Sequence, residues 1–229
     1  MNIIEQFERN IGAINLSEQE ILSKKKVLIA GCGGLGGYAA EYLTRIGVGH
    51  IGLLDADIFS LSNLNRQLLS LMGNIGYCKA EEAKKRLLDI RSDISVNIYN
   101  VYLNEENSPD ILRNYDVIID AFDNFKSRLI LEKTAAVLGI PLVFGAVQEW
   151  SAQVSVIYPG DFLLSRLCPE KEDNASPSVL SFTPALCAAI EAAEAVKILL
   201  DKDDILRKKL LIADLKYASF DIIDLSDNN

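Results

Sequence analysis

The 229-residue chain has one histidine, one tryptophan, two methionines and four cysteines. The cysteines, Cys32, Cys78, Cys168 and Cys187, stand far apart, and no CxxC occurs. Structural zinc takes four thiolate or imidazole ligands, usually from short Cys or His spacings, so zinc is not expected. Four scattered thiols read instead as reduced, mostly buried residues of a cytosolic protein. The opening MNIIEQFERN has acids where a signal peptide needs bases, and no apolar core follows it. The most apolar late stretch, 184–200, is broken by Glu191, Glu194 and Lys197, so no membrane span is expected. A cytoplasmic location follows as an expectation. Basic residues are outnumbered 32 to 23, for a net charge of −9. That balance disfavours nucleic acid and anionic membrane as partners but leaves room for a local basic pocket.

A hydrophobic fraction of 49% excludes a disordered chain, and the length suits one large domain. Apolar runs at 26–30, 51–54, 116–120 and 141–144 are short and unbroken, and 94–99 alternates. Helical patterns fall between them at 35–46, 79–90 and 126–138. Buried strands interleaved with helices imply an α/β fold: a doubly wound, mainly parallel Rossmann-like sheet. After residue 150 the pattern changes. Residues 153–158 alternate as an antiparallel strand does, 159–184 hold four prolines in an irregular crossover stretch, and a helix follows with Thr183 as cap and Pro184 at its first position. Runs at 209–214 and 217–225 read as a closing hairpin. The expectation is one domain over 1–229, with a nucleotide-binding core over 1–150, an antiparallel extension over 151–229 and a crossover loop over 160–182.

Gly31-Cys-Gly-Gly-Leu-Gly-Gly37 follows the first strand and opens a helix, satisfying GxGxxG at 31, 33 and 36. Glycines there permit a tight turn and close approach of phosphate to a helix N-terminus. Asp55 ends the second strand, 24 residues after Gly31, where a carboxylate can bind a ribose hydroxyl. These features alone also suit a nicotinamide oxidoreductase. Further residues separate the two readings: Asp55-Ala-Asp57, Ser62-Asn-Leu-Asn-Arg-Gln67, Gly76-Tyr-Cys-Lys79 and Ala121-Phe-Asp-Asn124. A dehydrogenase has no need of this set. An enzyme attacking the α-phosphate of ATP has, because charge grows on the phosphoryl group and departing pyrophosphate. Arg66 offers a planar fork, Lys79 a point charge, and Asp123 a magnesium ligand at a strand's C-terminal end. The competing readings are surface charges for Arg66 and Lys79 and a helix cap for Asp123.

The set GxGGLG, DxD, SNLNRQ, GxxK and a DN after the fourth strand resembles the MoeB/ThiF/HesA group of the ubiquitin-activating enzyme superfamily, from Phe7 to about Asp221. The resemblance implies a homodimeric adenylyltransferase that activates the C-terminal glycine of a small ubiquitin-like sulfur-carrier protein. The product is acyl-AMP plus pyrophosphate, and the sulfur serves molybdenum or tungsten cofactor, thiamine or related synthesis. Carried over by motif, Gly33 and Gly34 lie against ATP and Asp55 holds the ribose with Asp57 nearby. Ser62, Asn63, Leu64 and Asn65 line the site. Arg66 and Lys79 contact the phosphates, and Asp123 binds magnesium beside Asn124. Arg9 resembles an arginine reaching into the partner subunit's ATP site. Two departures accompany the match. The zinc CxxC motifs of some members are absent, and Asn174 stands where several members carry a crossover-loop cysteine. Cys168 is the better candidate for an acting thiol, Cys187 reads as core, and His50 reads as a loop residue before a strand. The rivals are an enzyme that adenylates and cyclises a modified tRNA nucleoside, the nicotinamide oxidoreductase, and a non-catalytic nucleotide-binding scaffold.

Overall fold

The computed structural model describes residues 3–167 and 178–226. The apolar runs form β1 (Lys26–Ala30), β2 (His50–Leu54), β3 (Ser95–Tyr99), β4 (Val117–Asp120) and β5 (Leu142–Gln148). These five pair in parallel in the order β3-β2-β1-β4-β5. Antiparallel strands β6 (Ser151–Ile157), β7 (Lys209–Asp214) and β8 (Ser219–Asp224) then extend the same sheet. The result is the mixed eight-stranded α/β sheet that the sequence patterns imply.

The helices are α1 (Ile3–Gln6), α2 (Leu16–Lys24), α3 (Gly36–Ile46), α4 (Lys79–Ile90), α5 (Ser108–Leu112), α6 (Phe125–Leu138), α7 (Leu163–Leu167) and α8 (Phe182–Leu199). Successive residues of a strand point to opposite faces, and β1 shows the consequence. Val27 and Ile29 pack with Leu43 of α3, Leu87 of α4 and Ala188 of α8, while Leu28 and Ala30 pack with Leu112 of α5, Leu131 of α6 and Leu164 of α7. Both faces of the central strands are therefore covered, which is why their sequences are continuously apolar.

Several boundaries differ from expectation. β5 runs on past Phe144 to Gln148 because every residue from Leu142 to Gln148 finds an antiparallel partner on β6. The stretch 159–184 is not wholly irregular: α7 lies within it. That turn is held from outside, since the Glu132 carboxylate of α6 accepts from the backbone N–H of Leu164 (2.7 Å) and Ser165 (3.2 Å). Thr183 does not cap α8. It lies in the helix's first turn, fully buried, and its Oγ1 donates to Glu149 O at 2.9 Å. Pro184 thus falls at the third helical position, where its missing N–H is still no loss. His50 is the first residue of β2 rather than part of the loop before it.

Among the described residues, no helix is long and apolar enough to cross a membrane. Cys32 and Cys187 are buried and Cys78 half-buried, all three as free thiols. Cys168 and Asn174 lie outside the described residues.

Candidate nucleotide site

The chain leaves β3 at one edge and crosses to the far side of β1 to form β4. This reversal opens a crevice at the C-terminal ends of β1 and β4, the place where open α/β sheets bind ligands. The glycine loop sits there. Gly31 has φ +104°, and a Cβ on it would lie 2.6 Å from Ala121 O; a Cβ on Gly36 would overlap Gly31 O. No side chain is possible at either position. The loop therefore turns tightly from β1 into α3 while touching the segment that follows β4.

Asp55 stitches the loop to the second strand. Its Oδ2 accepts from the backbone N–H of Cys32 at 2.7 Å and its Oδ1 from that of Asp57 at 2.8 Å. Burial raises its pKa, opposed by those amides and by the nearby Lys79 ammonium. Lys79, the first residue of α4, is only 7% exposed, and its Nζ lies 3.0 Å from Asp57 Oδ2. The same two residues are joined by a backbone bond from Lys79 N–H to Asp57 O at 3.0 Å. Tyr102 Oη donates to Asp57 Oδ1 at 3.3 Å.

Residues 61–66 form a tight turn over this rim. Asn63 is buried, and its Oδ1 accepts from the backbone N–H of Ser60 at 3.0 Å; Leu64 is half-buried behind it. Ser62 Oγ meets Ser60 Oγ at 3.0 Å. Arg66 Nη1 donates to Ser62 O at 3.1 Å and to Asn65 Oδ1 at 2.9 Å, while Asn65 Nδ2 reaches Val179 O at 3.0 Å. The stem of Arg66 and the ring of Pro184 both lie in contact range of Gly34, so the arginine and the first turn of α8 flank the glycine loop.

Asp123 is exposed in the turn between β4 and α6. The cap of α6 is Asn124, whose Oδ1 accepts from the backbone N–H of Ser127 at 2.9 Å. The carboxylate of Asp123 thus stays outside the cap. One carboxylate suits magnesium, which usually takes one or two from protein and completes its shell with phosphate oxygens and water. Among the described residues no group of three or more His, Cys, Asp or Glu gathers to hold a metal by protein ligands alone.

One expected residue lies elsewhere. Arg9 is exposed on a 3₁₀ turn (Glu8–Asn10), and Asn10 of that turn donates to Ile46 O at the C-terminal end of α3. The glycine loop is at the other end of α3, whose 11 residues span about 16 Å. Arg9 therefore stands at the opposite edge of the sheet from its own chain's crevice.

Three neighbours of the site were not singled out in the sequence reading. Gln67 is 7% exposed, lies against Gly33, and its Oε1 has no hydrogen-bond partner. It closes the motif that contains Arg66, which was the available signal. Asp120 and Arg128 are buried beneath the Asp123 turn. Asp120 was hidden inside a strand read from its apolar residues, and Arg128 inside a helix read from its periodicity.

Comparison with known proteins identifies the family and the fold. The ThiF family profile matches residues 7–229. A sulfur carrier protein adenylyltransferase of Thermus thermophilus is 37% identical over 88% of this chain and 79% of its own length. The SAMP-activating enzyme E1 of Haloferax volcanii is 32% identical over 90% of this chain and 79% of its own. Relatives from Porphyra purpurea and Culex quinquefasciatus match at 36% and 34%, and the chain spans only 56% and 52% of their lengths. Among solved structures, E. coli MccB superposes with a TM-score of 0.85 at 22% identity, over 96% of this chain and 69% of that one. A structure of MccB with ATP superposes at 0.83, also at 22% identity, over 96% of this chain and 70% of that one. These two show a shared fold. By its family profile and its relatives, the chain belongs to the ThiF family.

Proposed function

We propose that the chain adenylates the C-terminal carboxylate of a small ubiquitin-like sulfur-carrier protein, consuming ATP with magnesium and releasing pyrophosphate. The observation that carries this reading is the convergence of the glycine loop, Asp55, Arg66, Lys79 and Asp123 on one edge of the sheet. A nicotinamide oxidoreductase would use the first two and leave the rest without a role. The names of the relatives from Thermus and Haloferax point the same way.

In this proposal the N-terminus of α3 and the backbone of Gly33 and Gly34 receive the phosphates. Asp55 accepts from the ribose, with Asp57 holding Lys79 in place. Ser62, Asn63, Leu64 and Asn65 wall the nucleotide. A carboxylate oxygen of the carrier attacks the α-phosphorus, the bond to the bridging oxygen breaks, and pyrophosphate leaves with the electron pair. Arg66 and Lys79 lie where charge grows on these oxygens, and fixed cations in a crevice act there without reorganising. Asp123, with Asn124 beside it, would hold magnesium; when bound, the metal neutralises charge on the phosphate oxygens. A thin, glycine-ended tail suits the crevice because it can pass beside a bound nucleotide. Strand β8, at the sheet's edge, exposes Phe220, Ile222 and Ile223, which suits a protein partner.

The proposal includes a homodimer, since Arg9 stands too far from its own crevice to act there and would serve a partner's. It also places the reaction in the cytoplasm. Magnesium-dependent ATP–pyrophosphate exchange, measured across a panel of ubiquitin-like carriers ending in Gly-Gly, tests the reading. Exchange that appears only with a carrier is the expected result. ATP binding without exchange for any carrier would overturn it and favour the tRNA enzyme or the scaffold.

A further inference from the structure

Beneath the crevice, between β4, β5, α6 and α8, three ionisable side chains are buried: Asp120 (0% exposed), Arg128 (7%) and Glu191 (0%). Burial of charge is costly unless it is paired and hydrogen-bonded, so this set calls for a reason. Arg128 is its hub. Nε donates to Phe122 O at 2.9 Å, and Nη2 donates both to Phe122 O and to Gly145 O, the latter at 2.9 Å. The guanidinium carbon lies 4.9 Å from the centroid of the Phe144 ring. Asp120 Oδ1 accepts from the backbone N–H of Phe122 at 3.2 Å, and its Oδ2 lies 3.8 Å from Arg128 Nε. Both polar backbone groups of Phe122 are therefore held by buried side chains, one residue before Asp123.

Glu191 completes the cluster from α8. Its carboxyl packs on Gly145 so closely that a Cβ there would overlap it, and neither oxygen has a hydrogen-bond partner. Burial and the neighbouring Asp120 push its pKa well up, with Arg128 opposing. Asp120, rather than Glu191, is the acid that lies in ion-pair range of Arg128.

We infer that Arg128 is a positioning residue: by tying Phe122 O to Gly145 O it clamps the turn after β4 to β5 and fixes the backbone from which Asp123 projects. The guanidinium holds Phe122 O through two nitrogens of its rigid plane, Nε and Nη2, while Nη2 also reaches Gly145 O. The ammonium of a lysine, a single point charge on a flexible stem, does not reproduce that fixed geometry. The clamp stands on the contacts themselves. Its consequence for metal binding rests on the function proposed above, in which Asp123 faces magnesium.

The test compares the full chain with Arg128→Lys, and with the milder Asp120→Asn should the lysine variant not fold. Amide hydrogen exchange over residues 121–127, without nucleotide, reads the clamp directly. Arg128→Lys should speed it about tenfold while β1 and α4 keep their protection. Manganese binding in the presence of a non-hydrolysable ATP analogue, followed by electron paramagnetic resonance, reads the consequence. Affinity should fall at least about tenfold, the usual effect of losing a residue that orients a ligand. Binding of the analogue without metal should not move, and a merely structural arginine would weaken both alike. Asp120→Asn should shift both readouts in the same direction by a smaller factor. Unchanged exchange over 121–127 overturns the clamp, and faster exchange with unchanged manganese affinity overturns its role in positioning. Absence of manganese binding to the unaltered chain would count against the Asp123 assignment and leave the clamp to be judged by exchange alone.

Discussion

Asp123 and Asp120 are three residues apart at the end of one strand, yet they belong to regions governed by opposite physics. At the rim, Asp123 is exposed and the nearby Lys79–Asp57 pair keeps one partner half in water, so the Asp123 and Asp57 side chains are open to solvent. In the interior, Asp120 and Glu191 share one buried cation, and desolvation pushes the Asp120 carboxyl up to about 6 and that of Glu191 well above its ordinary value. The rim can answer to a ligand, whereas the interior answers to packing. Arg128 joins the two, since it bonds to the rim's backbone from inside the core.

The comparison can be broken at several points. The largest effect is expected at the rim. Arg66→Ala and Lys79→Ala should each lower ATP–pyrophosphate exchange by about a hundredfold or more with folding retained, because in the proposed reaction both meet developing charge. Exchange at the level of the unaltered chain would show that the chemistry lies elsewhere. Next comes the interior. Gly145→Ala should cost about 1–3 kcal/mol in urea unfolding, the usual effect of overpacking. Adding Glu191→Ala should recover part of that loss, because the two sites share one contact. A purely additive double variant would mean that the Glu191 carboxyl is not what Gly145 makes room for.

A subtler difference appears with pH. The folded-state pKa of Glu191 is raised by burial and Asp120, against Arg128; Cys187 lies on the same helix face and is itself pushed up by burial and by Glu191. A raised carboxyl means that the folded state binds more protons than the unfolded one. Stability tied to this group is fully present below the ordinary glutamate pKa and is lost as pH rises through the folded value. Glu191→Gln removes that dependence. Its urea midpoint should therefore gain on the unaltered chain as pH climbs from about 4.5, the usual region for glutamate. A difference constant with pH would show that Glu191 ionises normally. The smallest expected effect is none: Cys168→Ser should leave exchange intact, since adenylation needs no thiol. Loss of exchange there would assign the thiol a part in the chemistry.

The positions of the rim residues were legible in the sequence because strand ends, tight glycine turns and helix starts leave local patterns. Gly31, Gly36, Asp55 and Lys79 could be placed on a strand end or helix start from local pattern alone. Asn124 and Asp123 were separable only once the cap of α6 was seen, since either side chain could have accepted from the helix's first turn. Thr183 reads as a cap by the same local logic and instead bonds to Glu149 O. Helix α7 was invisible because its amides are held by Glu132, 32 residues away in sequence. Arg9 carries a motif resemblance, but its separation from the crevice depends on the packing of its turn against the end of α3.

The sequence by itself determined the alternation of buried strands and helices, the tight glycine turn and the charged residues that follow it. Each of these depends on neighbours a few residues away: the period of apolar side chains, a backbone that tolerates no Cβ, a carboxylate at a strand end. Only the tertiary structure decided that Asp120, Arg128 and Glu191 meet. They come from a strand and two helices spread over 71 residues, and what holds them together, burial and the loss of water, is a property of the folded interior rather than of any local stretch of chain.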